Sequence, residues 1–261
     1  MRHQWPWTQD HFRPQAAAVS TSARRRRAAA PSEHVRIRRL HEKASYDGDA
    51  VKAILDEALV AHVGFAHEGR PFVIPTLHAR LGEQVYVHGS SASRTLRAIG
   101  ATVPMCLTVT LLDGMVLARS MFEMSVNYRS VVVLGEARPV TEADEKLDAL
   151  QAFSEQVLPG RWEHARKPTR KEIKATAVLA LSLDEASAKI SAGGPDDADS
   201  EDAVLDVWAG HVPIRLVAGE PVPCPRLRPG IRVPDDVTGY GRRIAPAGKK
   251  QSGDVSDSCP L

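Results

Sequence analysis

Residues 60–88 read VAHVGFAHEGRPFVIPTLHARLGEQVYVH, and this stretch decides the fold class. It contains three short runs rich in β-branched and aromatic residues, separated by the turn signals Glu68-Gly69 and Leu81-Gly82. The three runs are Val60–Ala66, Pro71–Ala79 and Gln84–His88. Runs of this length with glycine-containing turns between them predict an antiparallel meander of three strands.

The β pattern continues after a short predicted helix, Ser91–Ile99. The next predicted strands are Val103–Leu112, Met115–Met121 and Ser130–Arg138, with Asp113-Gly114 as a hairpin turn between the first two. Six strands at hairpin spacing predict a closed barrel. We therefore expect a mainly β protein with some helix, of the α+β class.

Apolar residues at helical spacing predict two helices beside these strands. The first stripe starts near Asp49 as N-cap and consists of Val51, Ile54, Leu55, Ala58 and Leu59. The second ends before Pro159-Gly160 and consists of Leu147, Leu150, Phe153, Ser154 and Val157. Thr176–Leu183 alternates along its length and predicts a final strand.

The composition is that of a globular protein with unstructured ends. The 261 residues are 43% apolar and 25% charged with a net charge of +2, so no global field attracts nucleic acid or an anionic membrane. Residues 1–31 hold six arginines against one acid and predict a disordered Arg/Ala-rich arm, and 241–261 predict a flexible tail. Between them, 32–240 form the expected domain, with an acidic exposed loop near 193–206.

The cysteines and histidines show no metal-binding pattern. Cys106, Cys224 and Cys259 are widely spaced, and no histidines lie at HxxxH or HExxH spacing. No apolar run approaches the roughly 18 to 20 residues needed to span a bilayer. We therefore expect a cytoplasmic protein with no metal, no membrane contact and no specific nucleic-acid partner.

Residues 88–95 leave a predicted strand, cross a turn of small residues and open a helix. Gly89 allows close backbone approach, while the hydroxyls of Ser91 and Ser93 and the Arg94 guanidinium offer hydrogen bonds to an oxygen anion. This arrangement predicts a phosphate site. A serine-capped helix with a solvated Arg94 accounts for the same residues equally well.

A second polar cluster, Asn127–Val131, precedes an apolar strand. Tyr128 suits stacking on a planar ligand, Arg129 suits an anion, and Ser130 suits a ring heteroatom, although an ordinary strand entry with an exposed arginine explains them too. Pro75 interrupts another good strand and removes a ladder donor. It therefore predicts a sheet edge or a bulge, where backbone groups are free.

Taken together, these segments resemble the pyridoxamine 5'-phosphate oxidase-like superfamily of FMN-binding split barrels, closest to the branch that includes nitroimidazole-resistance reductases. The segments that carry the resemblance are Arg38-Arg39 with 43–47, 69–76, 88–94, 127–131 and 185–189. The resemblance covers about residues 34–235. It implies a six-stranded antiparallel split β-barrel with flanking helices, a homodimer, and FMN in a groove between the subunits.

The resemblance also implies which residues hold FMN: strand 73–76 along the flavin ring, 88–89 at the end of the next strand, and Ser93 and Arg94 at the phosphate. With the two polar clusters, the predicted cofactor-binding residues are Val73, Ile74, Pro75, Thr76, His88, Gly89, Ser91, Ser93, Arg94, Tyr128, Arg129 and Ser130. Thr95 replaces the lysine of true pyridoxamine phosphate oxidases, which argues against strict vitamin B6 oxidase activity. Phe122-Glu123-Met124 stands where this branch has paired histidines.

These observations predict an FMN-dependent oxidoreductase acting on a small organic substrate. No catalytic side chain is identified, because a flavin carries the redox chemistry itself. Two alternatives remain open. One is a non-catalytic flavin-binding protein, and the other is the same barrel holding a deazaflavin or haem, with His62, His67, His78 or His88 as the iron ligand.

Overall fold

The computed structural model describes residues 28–90 and 104–240 of the chain. Ten strands in these ranges form one sheet, flanked by short and medium helices. The strands are β1 (Ala44–Ser45), β2 (Val60–His67), β3 (Arg70–Leu81), β4 (Gln84–Ser90), β5 (Pro104–Leu117), β6 (Ser125–Glu136), β7 (Arg138–Pro139), β8 (Thr176–Ser182), β9 (Ala186–Ser191) and β10 (Gly210–Pro213). The helices are α1 (Gly48–Glu57), α2 (Ala143–Val157), α3 (Arg161–His164), α4 (Arg170–Ala175) and α5 (Asp235–Thr238).

The strands are antiparallel and follow the order β1-β9-β6-β5-β2-β3-β4-β8-β7, with β10 paired to β5. Because this path ends on β1 and β7, the sheet is not closed, and the closed barrel predicted from strand spacing is wrong. The mainly β, α+β split-barrel fold is confirmed. Spacing along the chain indicates which strands are neighbours, whereas closure depends on how far the sheet curls.

Strand β3 changes its pairing partner halfway along its length. Residues 70–77 pair with β2, and residues 78–81 pair with β4. Residues 88–90 of β4 pair with β8 on their other side. Within the described ranges, the two strands therefore present free edges on opposite sides of an opening, which we call the fork: residues 72–77 of β3 and residues 88 and 89 of β4. Pro75 lies on the free edge of β3, as its missing N–H predicted.

The predicted hairpin at Asp113-Gly114 is wrong, because both residues lie inside the single long strand β5. The ladder to β6 shifts register between Leu112 and Gly114, so this site is a β-bulge. The glycine is needed for a different reason: a Cβ at Gly114 would lie 2.9 Å from the Val212 carbonyl oxygen of β10. The Asp-Gly pair indicates a local irregularity of the backbone. Whether that irregularity is a hairpin turn or a bulge depends on the tertiary structure, here on the pairing of β10 with β5.

Helix α1 starts at Gly48, and its N-cap is Asp47, whose carboxylate accepts a hydrogen bond from the Asp49 N–H at 3.0 Å. Asp49, predicted as the cap, is the second residue of the helix. Along α1, Val51, Ile54 and Leu55 are buried in the main apolar core between the helix and the sheet. Helix α2 covers the other face of β4 and β8, where a second core contains Tyr86, Phe153 and Val178.

Two buried side chains satisfy carbonyl groups at the end of α1. The His78 Nε2–H donates to the Leu55 carbonyl at 2.9 Å, and the Gln156 amide of α2 reaches the carbonyls of Leu55, Asp56 and Ala58. A carbonyl only accepts, so His78 carries its proton on Nε2 and leaves Nδ1 bare. These contacts join α1, α2 and β3 at the residue where β3 changes partner.

The segment after β9 is held against the sheet. The buried Asp197 carboxylate accepts from the Arg119 backbone N–H at 2.6 Å and from its guanidinium at 2.7 Å. The Asn127 amide donates to the Gly193 carbonyl at 2.9 Å. The acidic loop predicted near 193–206 is thus mostly exposed but docked through one buried acid. No helix in the described ranges is long and apolar enough to span a membrane.

The buried ring of His78 predicts acid sensitivity of the fold. Burial lowers the pKa of His78 below its ordinary 6.5, outweighing the Leu55 carbonyl and the Asp56 charge, which raise it. The unfolded chain therefore binds more protons than the folded chain just below pH 6.5, and the free energy of unfolding should decrease as the pH falls through that range. Urea unfolding at about pH 8 and about pH 5 should show a smaller pH dependence for His78→Gln than for the wild type. His211→Gln, at an exposed residue, is the matched control.

The close approach of β10 to Gly114 predicts that a side chain at this residue would displace β10. Gly114→Ala should push β10 away, lower the free energy of unfolding by roughly 1 to 3 kcal/mol and speed proteolysis between residues 205 and 240. Gly64→Ala is the matched control, because a Cβ there meets nothing closer than 3.7 Å. Equal proteolysis rates for the two variants would contradict this account of the bulge.

Candidate functional site

The fork brings together two of the predicted cofactor-binding segments. Its β3 edge carries Val73, Ile74, Pro75 and Thr76, and its β4 edge begins at His88 and Gly89. Val73 is 66% exposed, an unusual position for an apolar side chain in a long strand. The alternation of the strand sends Val73 and Pro75 to the outer face of the sheet, while Ile74 packs against the core. The fork thus offers both free backbone groups and an exposed apolar edge.

His88 lies at the start of the β4 edge, but its ring faces helix α2. The ring centroid lies 4.2 Å from that of Phe153, and burial lowers the pKa of His88, so the imidazole is neutral near pH 7. Its Nδ1 is buried and has no hydrogen-bond partner among the described residues. A buried ring nitrogen without a partner costs free energy. His88 is therefore a candidate for a contact that the described protein groups do not provide.

Ser91, Ser93 and Arg94, the predicted phosphate-binding residues, lie outside the described residues. Strand β4 runs to Ser90, so the segment that contains them leaves directly from the β4 edge of the fork. Their role stays a prediction.

Tyr128, Arg129 and Ser130 lie on β6, away from the fork. Strands β2 and β5 stand between β6 and β3, and three strand spacings correspond to about 14 Å. Tyr128 and Ser130 lie on the outer face, where Ser130 is opposite Thr110 of β5 and Lys189 of β9. Their predicted contact with a cofactor stays a prediction; by strand position they lie about three strand spacings from the fork of the same chain.

Arg129 lies at the centre of an ion-pair cluster. Its guanidinium makes four hydrogen bonds of 2.5 to 2.9 Å to the carboxylates of Asp113 and Glu57. The hydrogen bonds to Asp113, then those to Glu57, raise the pKa of Arg129 against the opposing effect of burial. The Arg129 guanidinium thus links β6 to Asp113 in the bulge of β5 and to Glu57 at the end of α1. The anion-binding role predicted for Arg129 stays a prediction.

A separate cavity of about 400 Å³ lies between the end of α2 and the C-terminal segment, lined by Val157, Leu158, 218–221, Val237, Thr238 and Tyr240. None of the predicted cofactor residues lines it. The predicted apolar stripe that includes Val157 does not reveal this cavity, because most of its other walls come from the C-terminal segment, where the sequence shows no such stripe. The described residues contain no group of three or more His, Cys, Asp or Glu that could hold a metal ion.

The ion-pair cluster predicts that Arg129 acts mainly on stability. Arg129→Ala should lower the free energy of unfolding by about 1 kcal/mol, because solvent screens three side chains that are about one third exposed. Urea unfolding of this variant, of Glu57→Gln and of the double variant gives the coupling between the two groups. If Arg129→Ala loses flavin affinity while keeping its stability, Arg129 is instead a cofactor contact.

Comparisons with known proteins agree with this architecture. The sequence profile described as pyridoxamine 5'-phosphate oxidase matches residues 47–190. The flavocytochrome Anf3 from Azotobacter vinelandii is 44% identical, with a TM-score of 0.76 over 81% of this chain and 98% of that chain. The FAD and haem binding protein from Mycobacterium smegmatis is 38% identical, with a TM-score of 0.73 over 76% of this chain and 97% of that chain.

No functionally curated protein matches the sequence. The matched profile spans more than half of the chain, from the cap of α1 to β9, and the fork lies inside it. This chain belongs to the pyridoxamine 5'-phosphate oxidase family.

Proposed function

We propose that this protein is a flavin-dependent redox protein that also binds haem, and that the flavin lies at the fork. The observation that carries the proposal is the fork itself, where β3 leaves β4 and exposes a strand edge; the serine- and arginine-containing residues 91–94 follow β4 in the sequence. The two relatives with 44% and 38% identity are a flavocytochrome and a FAD- and haem-binding protein.

The chemistry of the fork fits a flavin ring. An isoalloxazine carries alternating hydrogen-bond donors and acceptors along one edge and an apolar edge opposite. The free edge of β3 supplies backbone N–H and C=O groups that would face the polar edge of the ring. Pro75 is the one residue of this edge that has no N–H to donate. Val73, which is 66% exposed, supplies apolar contact for the apolar edge of the ring. This part of the chain binds and orients the ring and excludes water from it.

The family resemblance implies FMN, whereas the name of one relative specifies FAD. The two share the ring and the phosphate nearest the ribityl chain, so the fork and segment 91–94 serve either one. We propose FAD for this chain because of the 38% identity to a FAD-binding protein over 76% of the chain. FMN and a deazaflavin are the competing outcomes of the experiment below.

We also propose that the chain acts as a homodimer in the cytoplasm. Tyr128 and Ser130 are about three strand spacings from the fork of their own chain. A second copy packed on the outer face of the sheet would bring one copy's β6 residues to the other copy's fork. Exposed apolar residues on this sheet, such as Leu112 at 47% and Met115 at 42%, favour such an interface.

When bound at the fork, a flavin would supply two-electron exchange with a small organic substrate and one-electron exchange with a partner such as haem. No side chain near the fork needs to act as a nucleophile or strong base. The second candidate is a flavin-binding protein without turnover. Two observations favour it: His88 is neutral and half-buried, and the β3 edge, residues 72–77, has no titratable side chain.

The visible spectrum of the purified protein tests the proposal first. We expect flavin absorption and a haem Soret band that elute together with a dimer, and FAD on chromatography of the acid-released cofactor. Arg94→Ala should weaken flavin affinity roughly 10- to 100-fold, because a charged hydrogen bond to phosphate contributes about 1.5 to 3 kcal/mol. Arg170→Ala, at an exposed residue of α4, is the matched control. A protein that retains no flavin after reconstitution would contradict the proposal.

A further inference from the structure

We propose that the cavity between the end of α2 and the C-terminal segment is a second binding site, and that it takes a small apolar molecule whose ammonium group binds Asp236 of α5. The site is separate from the fork, because none of the residues predicted to contact the flavin lines the cavity. The inference therefore rests on neither the flavin nor the haem of the proposed function.

The cavity has the size and the walls of a small-molecule site. Its volume is about 400 Å³, and pockets that bind small organic ligands range from roughly 300 to 1,000 Å³. Val157 and Leu158 line it from the end of α2, and Pro221 and Val237 line it from the C-terminal segment. Aliphatic side chains from both directions offer apolar contact to the body of a ligand.

The polar groups in the described part of the wall favour a positive charge on that ligand. Glu220 contributes a carboxylate, and none of the described lining residues is Lys, Arg or His. Tyr240 adds an aromatic ring, and the face of such a ring attracts a cation. The Thr238 hydroxyl donates to the Asp235 carbonyl at 3.2 Å, and its oxygen can still accept a hydrogen bond. These walls offer an anionic ligand no cationic side chain.

Asp236 is a buried acid next to this cavity. It directly precedes Val237 and Thr238, the two residues of α5 that line the cavity. Its side chain is only 9% exposed. Both carboxylate oxygens are buried, and neither has a hydrogen-bond partner among the described residues. A buried carboxylate needs hydrogen-bond donors, because water no longer solvates its charge.

The neighbouring His164 does not supply these donors. Its Nδ1 lies 3.4 Å from Asp236 Oδ2, but the two groups do not form a hydrogen bond, and the His164 side chain is 56% exposed. The contact does locate the carboxylate. His164 belongs to α3, which follows α2 and packs against it, so Asp236 lies near the end of α2 that forms the opposite wall of the cavity.

An ammonium group matches what this carboxylate lacks. It brings three N–H donors and a positive charge to two oxygens that have no donor. A hydroxyl group would bring one donor and no charge, and a carboxylate would repel Asp236. The ligand that suits both the apolar walls and Asp236 is therefore an apolar amine.

Isothermal titration calorimetry of the full chain, loaded with its flavin, tests this assignment with three indole probes. Tryptamine, tryptophol and indolepropionate share the apolar ring and carry a positive, a neutral and a negative side chain. We expect tryptamine to bind about tenfold more tightly than tryptophol, because a charge-assisted hydrogen bond is roughly twice as strong as a neutral one. We expect no binding of indolepropionate.

Two variants separate the charged contact from the apolar contact. Asp236→Asn should weaken tryptamine binding about tenfold and leave tryptophol binding unchanged, which also shows that the cavity is intact. Val237→Ala should weaken both probes by the same factor, roughly three- to tenfold, because it removes apolar wall surface. Asp235→Asn, at the exposed neighbouring acid, is the matched control and should bind tryptamine like the wild type.

Urea unfolding without ligand gives a second readout. Asp236→Asn should unfold at a urea concentration equal to or higher than that of the wild type, because it removes a buried charge that the described protein groups do not satisfy. A residue kept for stability would behave in the opposite way. A lower unfolding midpoint for Asp236→Asn would therefore overturn the proposal.

The binding outcomes are equally decisive. The amine assignment is overturned if tryptamine binds no more tightly than either other probe, or if Asp236→Asn binds tryptamine like the wild type. Binding of none of the three probes would overturn the site. Flavin absorption is recorded for each sample, so these results leave the proposed function standing. Loss of flavin with retained tryptamine binding would instead count against the proposed function.

Discussion

The structure depends on the point at which β3 exchanges β2 for β4. At Leu77 the strand still pairs with Val60 of β2, and at His78 it pairs with Val87 of β4. Side-chain contacts from two helices also hold the strand at this point. Here the buried His78 ring binds the Leu55 carbonyl of α1, and Gln156 of α2 binds the same carbonyl. Side chains from one strand and two helices thus meet where the sheet splits.

Opposite charges stabilise the same region from the surface. Asp56 and Glu57 lie at the carboxyl end of α1, where the helix dipole disfavours negative charge. Each is paired to an arginine of the sheet: Asp56 to Arg80 of β3, and Glu57 to Arg129 of β6. The two pairs hold the end of α1 across the core, and the helix in turn supplies the carbonyl that His78 needs. The end of α1 is therefore held by ion pairs close to where the two strands part.

A split sheet of this kind exposes both a strand edge and part of a strand face. Among the described residues, the free edge of β3 has backbone groups without ladder partners, and its outer face carries the exposed apolar side chain of Val73.

The amino-acid sequence by itself determined the α+β class, most strand positions, the two main helices, and the edge position of Pro75, because these depend on local periodicity and on the missing proline N–H. It also indicated the segments that meet at the fork. The tertiary structure decided that Asp113-Gly114 is a bulge under β10, that Arg129 is held by Glu57 and Asp113, and that the sheet stays open. Those features depend on groups brought together from distant parts of the chain, which no local pattern encodes.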